Sequence, residues 1–172
     1  MHPRPAPIGL RLVAVTIALA SASAPAQLST PDPDWREAEA PPAPAFKQSG
    51  LIPLEIGGAT LRYGVDPATV SLSADGIVRY VVVASTGSGT SSAIYEGIRC
   101  STAEVKAYAR HNEGTGWTLA QPAQWQPLQA NPSSRHSQVI ARTGACMGGG
   151  ANRSATQIVR DLRAPVDTRF NN

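Results

Sequence analysis

Alternating apolar and polar positions between residues 51 and 112 predict a β-sheet. The clearest stretch runs from Ile77 to Ser85 and is rich in β-branched residues, which is typical of a buried strand. Thr69 to Ser73 forms a shorter strand pattern before it, and Asp75-Gly76 lies between the two. An Asp-Gly pair between two strand patterns predicts a hairpin.

Further strand patterns lie on both sides of this hairpin. "LIPLEI" (51–56) predicts a first strand, with Pro53 tolerated only at a sheet edge or a strand start. Two more strand patterns are "TLRYGVD" (60–66) and Ala93 to Ser101. "EVKAYARHN" (104–112) alternates like a strand, with a helix as the alternative. Trp117 begins a segment that is either a short strand or a loop.

After Pro132 the apolar residues recur at helical spacing, which predicts two helices. The first has an apolar face of His136, Val139, Ile140 and Thr143, with Ser133 or Ser134 as N-cap and Gly144 as C′ residue. The second has Ala155, Ile158, Val159 and Leu162 on one face, is capped by Asn152 or Ser154, and ends before Pro165. Strands followed by helices predict an α+β fold, in which a meander of about five or six antiparallel strands packs against two C-terminal helices.

The N-terminal residues carry a pattern of their own. Arg4 and Arg11, a short apolar run and "APA" (24–26) are typical of a secretory signal peptide cleaved after Ala26. The run is about nine residues long, whereas about 20 are needed to span a bilayer. Residues 27–49 are rich in proline and predict an extended arm, 50–164 a single domain and 165–172 a flexible tail. We therefore expect no transmembrane segment after cleavage and a periplasmic location, with secretion as the alternative.

The charge balance changes when the leader is removed. The chain has 15 Lys+Arg and 12 Asp+Glu, and the leader contains only the two arginines, so 13 positive charges remain against 12 negative. No basic cluster remains either. The electrostatic pattern of a nucleic-acid-binding protein is absent, and no nucleic-acid partner is expected.

The two cysteines, Cys100 and Cys146, are expected to form a disulfide, because an exported protein folds in an oxidising compartment. The closed loop would contain about 47 residues, for which chain entropy predicts a stabilisation of about 4 kcal/mol.

Several motifs together resemble a known family. They are "DW" (34–35), "LIP" (51–53), "VDPATVSLSADGIVRYVVVAS" (65–85), "YEGIRC" (95–100), "YA" (108–109), the later tryptophans Trp117 and Trp125, and Cys146. In this order they resemble the CNP-one-like family of small exported proteins of Gram-negative bacteria, over about residues 33–163. The resemblance implies an envelope location and a shared domain, and it brings no known activity, cofactor or catalytic residue.

"YEGIRC" contains the main candidate site. On a strand, Glu96 shares a face with Ile94, Ile98 and Cys100, so its carboxylate points into an apolar layer and requires a partner. If Ala84 pairs with Ile94, Val82 faces Glu96 and Arg79 faces Arg99. A slip of one residue brings Arg79 to the face of Glu96 instead, where an ion pair is possible.

Two roles for Glu96 stay open at this point. It is either a structural carboxylate that ties strands together, or a ligand-binding acid with Arg99 or Arg79 beside it. Two tryptophans, Trp117 and Trp125, either fill the core or form a binding shelf with Tyr95 and Tyr108.

Familiar catalytic and metal-binding patterns are missing from the sequence. It has no H-E-x-x-H, C-x-x-C, G-x-S-x-G or Walker motif, so no catalytic residue, metal or cofactor is predicted. We expect a non-catalytic binding or scaffolding domain whose partner is a protein, peptide or glycan of the envelope. The alternative is a small periplasmic hydrolase, or a carbohydrate or peptide binder, that uses Glu96 and the tryptophans. The two hypotheses predict different environments for Glu96. A scaffolding domain should bury Glu96, whereas a hydrolase should hold it in an open cleft beside a second ionisable group.

Overall fold

The computed structural model describes Met1, residues 32–129 and residues 132–164. Apart from Met1, the predicted signal peptide lies outside the described residues, as does the predicted tail. Within them, no helix is long and apolar enough to cross a membrane.

The strands of the described residues are β1 (Ile52–Leu54), β2 (Arg62–Val65), β3 (Ser71–Leu72), β4 (Ile77–Ser85), β5 (Ser91–Arg99), β6 (Glu104–Asn112), β7 (Gly116–Leu119), β8 (Gln126–Pro127), β9 (Cys146–Met147) and β10 (Gly150–Ala151). An antiparallel sheet forms the centre of the fold and follows the order β1-β2-β4-β5-β6-β7, with β3 paired to β4 and β8 paired to β6. The two remaining short strands, β9 and β10, pair with each other. The α+β prediction is confirmed, and residues 104–112 form a strand.

Two helices follow the sheet. Helix α1 (Arg135–Ile140) continues into a π-helical turn (Ala141–Ala145), and α2 (Ala155–Arg163) comes last. Short 3₁₀ turns lie at Pro67–Thr69 and Pro132–Ser134. Ser154 caps α2 as predicted, because its side chain accepts a hydrogen bond from Gln157 N at 3.1 Å.

Gly144, which was predicted to end the first helix, has a different role. It lies inside the π-helical turn, and a Cβ there would come within 2.8 Å of Leu162 Cγ. A glycine at this position therefore allows the turn to pack closely against α2.

The pairing of β4 with β5 corrects both predicted registers. Val82 lies opposite Ile94 and Tyr80 lies opposite Glu96, two residues away from the first register. Because a shift of two residues keeps the same β4 side chains on the face of Glu96, Arg79 stays on the opposite face, where it lies opposite Gly97. The register follows from the loop at residues 86–90, which closes the hairpin directly between Ser85 and Ser91.

The sheet is covered on both faces. The inner face packs against the helices and forms the larger core, which contains Val78, Tyr80, Val82, Ile98, Ile140 and Ile158. The outer face carries a second apolar cluster of Val81, Val83, Ala93, Tyr95, Tyr108 and Ala109, against which Ala40, Ala43 and Phe46 pack. Described residues of the proline-rich arm therefore cover the outer face.

The predicted disulfide between Cys100 and Cys146 is present. Cys100 directly follows β5 and Cys146 begins β9. The bond therefore ties the end of a central strand to the chain that leaves the π-helical turn.

Candidate functional site

Glu96 lies in the middle of β5 and points toward α1 on the inner face of the sheet. Only 5% of the residue is exposed, and Tyr80 lies opposite it on β4. A β-bulge interrupts the pairing of β5 with β6 between Tyr95 and Glu96. Glu96 is thus a carboxylate placed inside an apolar layer, as its position in "YEGIRC" predicted.

Three side chains satisfy this carboxylate. Tyr80 Oη donates to Oε2 at 3.0 Å, and Ser137 Oγ donates to the same oxygen at 2.9 Å. His136 Nε2 lies 3.0 Å from Oε1 and 3.1 Å from Oε2. His136 and Ser137 come from the first turn of α1, so Glu96 connects the sheet to the helix.

The pKa of Glu96 reflects this environment. Burial by itself raises the pKa, but the charge and hydrogen bond of His136, together with Ser137 and Tyr80, outweigh it and hold the pKa below its usual range. Burial and the adjacent Glu96 charge raise the pKa of Tyr80 well above its ordinary value. Glu96 is therefore ionised near neutral pH, while Tyr80 keeps its proton and donates it.

A polar cleft opens beside this group, and we call it the Glu96 cleft. Its volume is about 240 Å³. Its walls come from β5, β6, the loop before β8 and the start of α1, and its polar lining residues are Glu96, Arg110, Gln121, Gln124, Gln126, Ser133, Ser134 and His136. Amide, hydroxyl and guanidinium groups predominate, so the cleft is suited to a ligand with several hydrogen-bonding groups.

A second cleft, which we call the Tyr63 cleft, lies on the other side of His136. It measures about 210 Å³ and is lined by Ile56, Gly58, Ala59, Thr60, Leu61, Tyr63, Ser133, Arg135 and His136. The rings of Tyr63 and His136 stack with an interplanar angle of 9° and a centroid distance of 5.3 Å. His136 and Ser133 contribute to both clefts.

The other predicted ligand-binding residues lie across the sheet from Glu96 or at its outer edge. Arg79 lies opposite Gly97, and its Nη2 pairs with Asp75 Oδ2 at 3.0 Å. Both side chains are almost completely buried, and the pKa of Asp75 falls to about 2 because hydrogen bonds from Arg79 and Ser73 outweigh the effect of burial. The structure therefore pairs Arg79 with Asp75, and Glu96 with His136.

Arg99 and the tryptophans also contact the arm. The Arg99 guanidinium lies 3.6 Å from the centroid of the Trp35 ring. Trp35 meets Trp125 edge-on at 6.2 Å, and Trp125 Nε1 donates to Glu37 Oε2 at 3.0 Å. These contacts hold the start of the described arm against the sheet.

Trp117 and Tyr95 contact other groups on the same side of the sheet. Trp117 packs edge-on against Phe46 and His111, with centroid distances of 5.5 Å and 5.3 Å. Tyr95 lies 5.3 Å from Tyr108. The aromatic residues of the predicted shelf thus pack with arm residues or with each other, and their role in ligand binding stays a prediction.

Sequence reasoning did not identify the partners of Glu96. Tyr80 lies within the motif at residues 65–85, but nothing in that motif linked it to Glu96, and Ser137 lies outside the quoted motifs. His136 gave one signal, because it was the only histidine on the predicted apolar face of the first helix. A buried imidazole and a buried carboxylate each need a partner, which could have linked the two.

No group of three or more His, Cys, Asp or Glu side chains among the described residues could hold a metal ion.

The sequence matches the family model of the CNP1-like family over residues 30–163. Comparisons with curated proteins and with solved structures gave no match.

Proposed function

The chain belongs to the CNP1-like family, and on this premise we propose that it is an exported envelope protein whose domain binds a small polar ligand in the Glu96 cleft without converting it. The leader sequence supports export to the periplasm. The disulfide is in keeping with an oxidising compartment.

The observation that carries this proposal is the position of Glu96 at the wall of a polar cleft while its charge is already compensated. Oε2 accepts hydrogen bonds from Tyr80 and Ser137 and also contacts His136. The carboxylate is therefore fixed in place before any ligand arrives, and such preorganisation lowers the entropic cost of binding.

The same contacts argue for binding rather than catalysis. General acid–base catalysis is most efficient when the pKa of the group lies near the working pH. The pKa of Glu96 is shifted below its usual range, away from neutrality. Glu96 is therefore a weak base and an unsuitable proton donor at neutral pH.

A ligand screen by two-dimensional NMR tests the proposal. The oxidised protein is titrated with monosaccharides, amino acids and dipeptides, and backbone amide shifts are followed. We expect a binder to shift the amides of Gln121, Gln124 and His136, and the variant Gln124→Ala to weaken its affinity. Arg160→Ala, an exposed change on α2, serves as the matched control. If no compound in the three classes moves these amides, the proposal fails.

One observation favours a second candidate, a small hydrolase. Glu96 lies in a cleft with a second ionisable group, His136, at 3.0 Å. Turnover of chromogenic glycosides and peptides tests it. A hydrolase loses turnover in Glu96→Gln while ligand affinity stays within a few-fold, whereas a binding domain shows no turnover in the unmodified protein.

A further inference from the structure

The Glu96 cleft and the Tyr63 cleft share a wall. Ser133 is exposed at the surface and His136 is buried beneath it, and both residues line both clefts. The His136 ring stacks on Tyr63 on one side and contacts the Glu96 carboxylate at 3.0 Å through Nε2. The two clefts therefore adjoin at Ser133 and His136.

The volumes suggest that the two clefts act together. Small-molecule sites usually measure roughly 300–1,000 Å³. The Tyr63 cleft, at about 210 Å³, and the Glu96 cleft, at about 240 Å³, are each below this range, but together they lie within it. One extended ligand would use both.

The lining groups indicate the chemistry of that ligand. Gln121 and Gln124 each combine an amide donor with a carbonyl acceptor, and hydroxyl or acetamido groups complement both. One arginine lines each cleft, Arg110 in the first and Arg135 in the second, and adds further donors. Hydroxyl and acetamido groups repeat at regular intervals along an oligosaccharide.

We propose that the two clefts form one continuous site for a linear oligosaccharide bearing hydroxyl and acetamido groups, with one sugar unit in each cleft and the linkage over Ser133. This inference rests on the proposed function, since it extends the ligand of the Glu96 cleft into the Tyr63 cleft. The first unit, once bound, holds the second at high effective concentration next to its cleft.

Dependence of affinity on chain length tests the inference. N-acetylglucosamine and its β-1,4-linked dimer, trimer and tetramer are titrated into the oxidised protein by calorimetry. We expect the dissociation constant to fall at least tenfold from one unit to two, and to change less than threefold from two units to four. Alanine peptides of one to four residues serve as the comparison series.

Three variants separate the clefts. Gln124→Ala, in the Glu96 cleft, should weaken the binding of every chain length. Arg135→Ala, in the Tyr63 cleft, should weaken the dimer and longer chains and leave the monomer unchanged. Since Arg135 also donates to Gly57 O, Thr60→Ala tests the same cleft without removing that bond. Arg142→Ala, which lines neither cleft, is the control.

The possible results are distinct. Equal affinity at all lengths, or equal effects of Arg135→Ala on monomer and dimer, overturns the extended site and leaves the proposed function intact. Length-dependent binding of alanine peptides in place of sugars overturns the choice of glycan. If no sugar binds while another small ligand occupies the Glu96 cleft, the inference fails alone. If the cleft takes no ligand of any class, both proposals fail.

Discussion

Glu96 and His136 connect the centre of the sheet to the first turn of α1, with 3.0 Å between Oε1 and Nε2. Both residues are buried, at 5% and 3% exposure. An ionised carboxylate in such a place needs donors around it, and removal of its charge or of its partner disturbs the whole connection.

Glu96→Gln is expected to destabilise the domain by about 3 kcal/mol or more, the scale for breaking a buried pair. Glutamine keeps the shape of the side chain, but it replaces one acceptor oxygen by a donor that faces Tyr80, Ser137 or His136. The free energy of unfolding is measured with urea on the oxidised protein near pH 7. Glu55→Gln, an exposed acid on the same protein, should change it by less than about 0.5 kcal/mol. An equally small effect of Glu96→Gln would show that the buried contacts contribute little.

Local patterns predicted the strands more reliably than their registers. Ile77–Ser85 is a strand with the predicted bounds, because eight consecutive buried residues, five of them β-branched, allow few alternatives. The pairing with β5 is different, since it depends on the conformation of the five-residue loop 86–90. Many loops of this length close a hairpin, so the alternation of side chains defines the face of Glu96 but leaves its partner open.

The candidate site was predictable only in part for a related reason. The acid at position 96 could be recognised as buried because it alternates with Ile94 and Ile98. Its partner His136 lies 40 residues away, and the contact depends on how α1 packs over the sheet. Packing of this kind has no local signature in the sequence. The arm shows the same limit, because composition predicted an extended chain but could not reveal that Glu37 binds the outer face.

The ionised Asp75 should stabilise the domain, so the free energy of unfolding should fall when this carboxylate is protonated in acid. Its pKa is lowered from 3.8 to about 2, so its contribution is fully present above about pH 4 and is lost as the pH falls toward 2. The shift corresponds to roughly 2 kcal/mol. Asp75→Asn should therefore flatten the pH dependence of unfolding between pH 4 and 2. At pH 7 it should cost about 3 kcal/mol, because Arg79, at 1% exposure, loses its buried partner.

The exposed Asp34→Asn is the matched control for this experiment. Urea unfolding of wild type and both variants across pH 2–7 gives the comparison. Parallel curves for wild type and Asp75→Asn would contradict the assignment of this acid-sensitive stability to the Asp75–Arg79 pair.

Removal of the disulfide should cost about 4 kcal/mol. The bond joins residues 46 positions apart, and chain entropy gives this magnitude for a loop of that size. The double variant Cys100→Ala, Cys146→Ala is compared with the oxidised protein by urea unfolding. Since a domain of this size has a total stability of about 5–15 kcal/mol, we expect a large shift of the midpoint. A loss of stability below about 1 kcal/mol would mean that the protein without the disulfide already holds β9 near β5.

Glu37 should control how firmly the arm is held. Its carboxylate accepts hydrogen bonds from Lys106 Nζ at 2.9 Å, Tyr108 Oη at 2.8 Å and Trp125 Nε1 at 3.0 Å. Glu37→Gln should cost about 1.5–3 kcal/mol, the range for hydrogen bonds to a charged group. It should also speed amide hydrogen exchange at residues 35–47. Glu39→Gln, which changes the neighbouring exposed acid, should leave the stability and the amide exchange unchanged. Equal effects of Glu37→Gln and Glu39→Gln would refute the anchoring role of Glu37.

Gly97, on the outer face of β5, tests how tightly the sheet and Tyr108 pack. A Cβ there would lie 2.8 Å from Ile77 Cγ2 and 2.8 Å from Tyr108 Oη, which is closer than nonbonded atoms approach. Since this glycine lacks a positive φ, only space opposes a side chain, and Gly97→Ala should cost about 1–3 kcal/mol through overpacking. Gly87→Ala, where no atom lies within 4 Å of the new Cβ and φ is also not positive, should be nearly neutral.

A double variant identifies the source of this cost. If the clash with Tyr108 Oη dominates, Gly97→Ala should destabilise the Tyr108→Phe protein less than the wild type, because phenylalanine lacks that oxygen. Urea unfolding of the four proteins gives the coupling energy. A displaced Tyr108 also loses its hydrogen bond to Glu37, so Gly97→Ala should speed amide exchange in the arm as Glu37→Gln does. Unchanged amide exchange in the arm would show that Ile77, and not Tyr108, moves to make room for the extra methyl group.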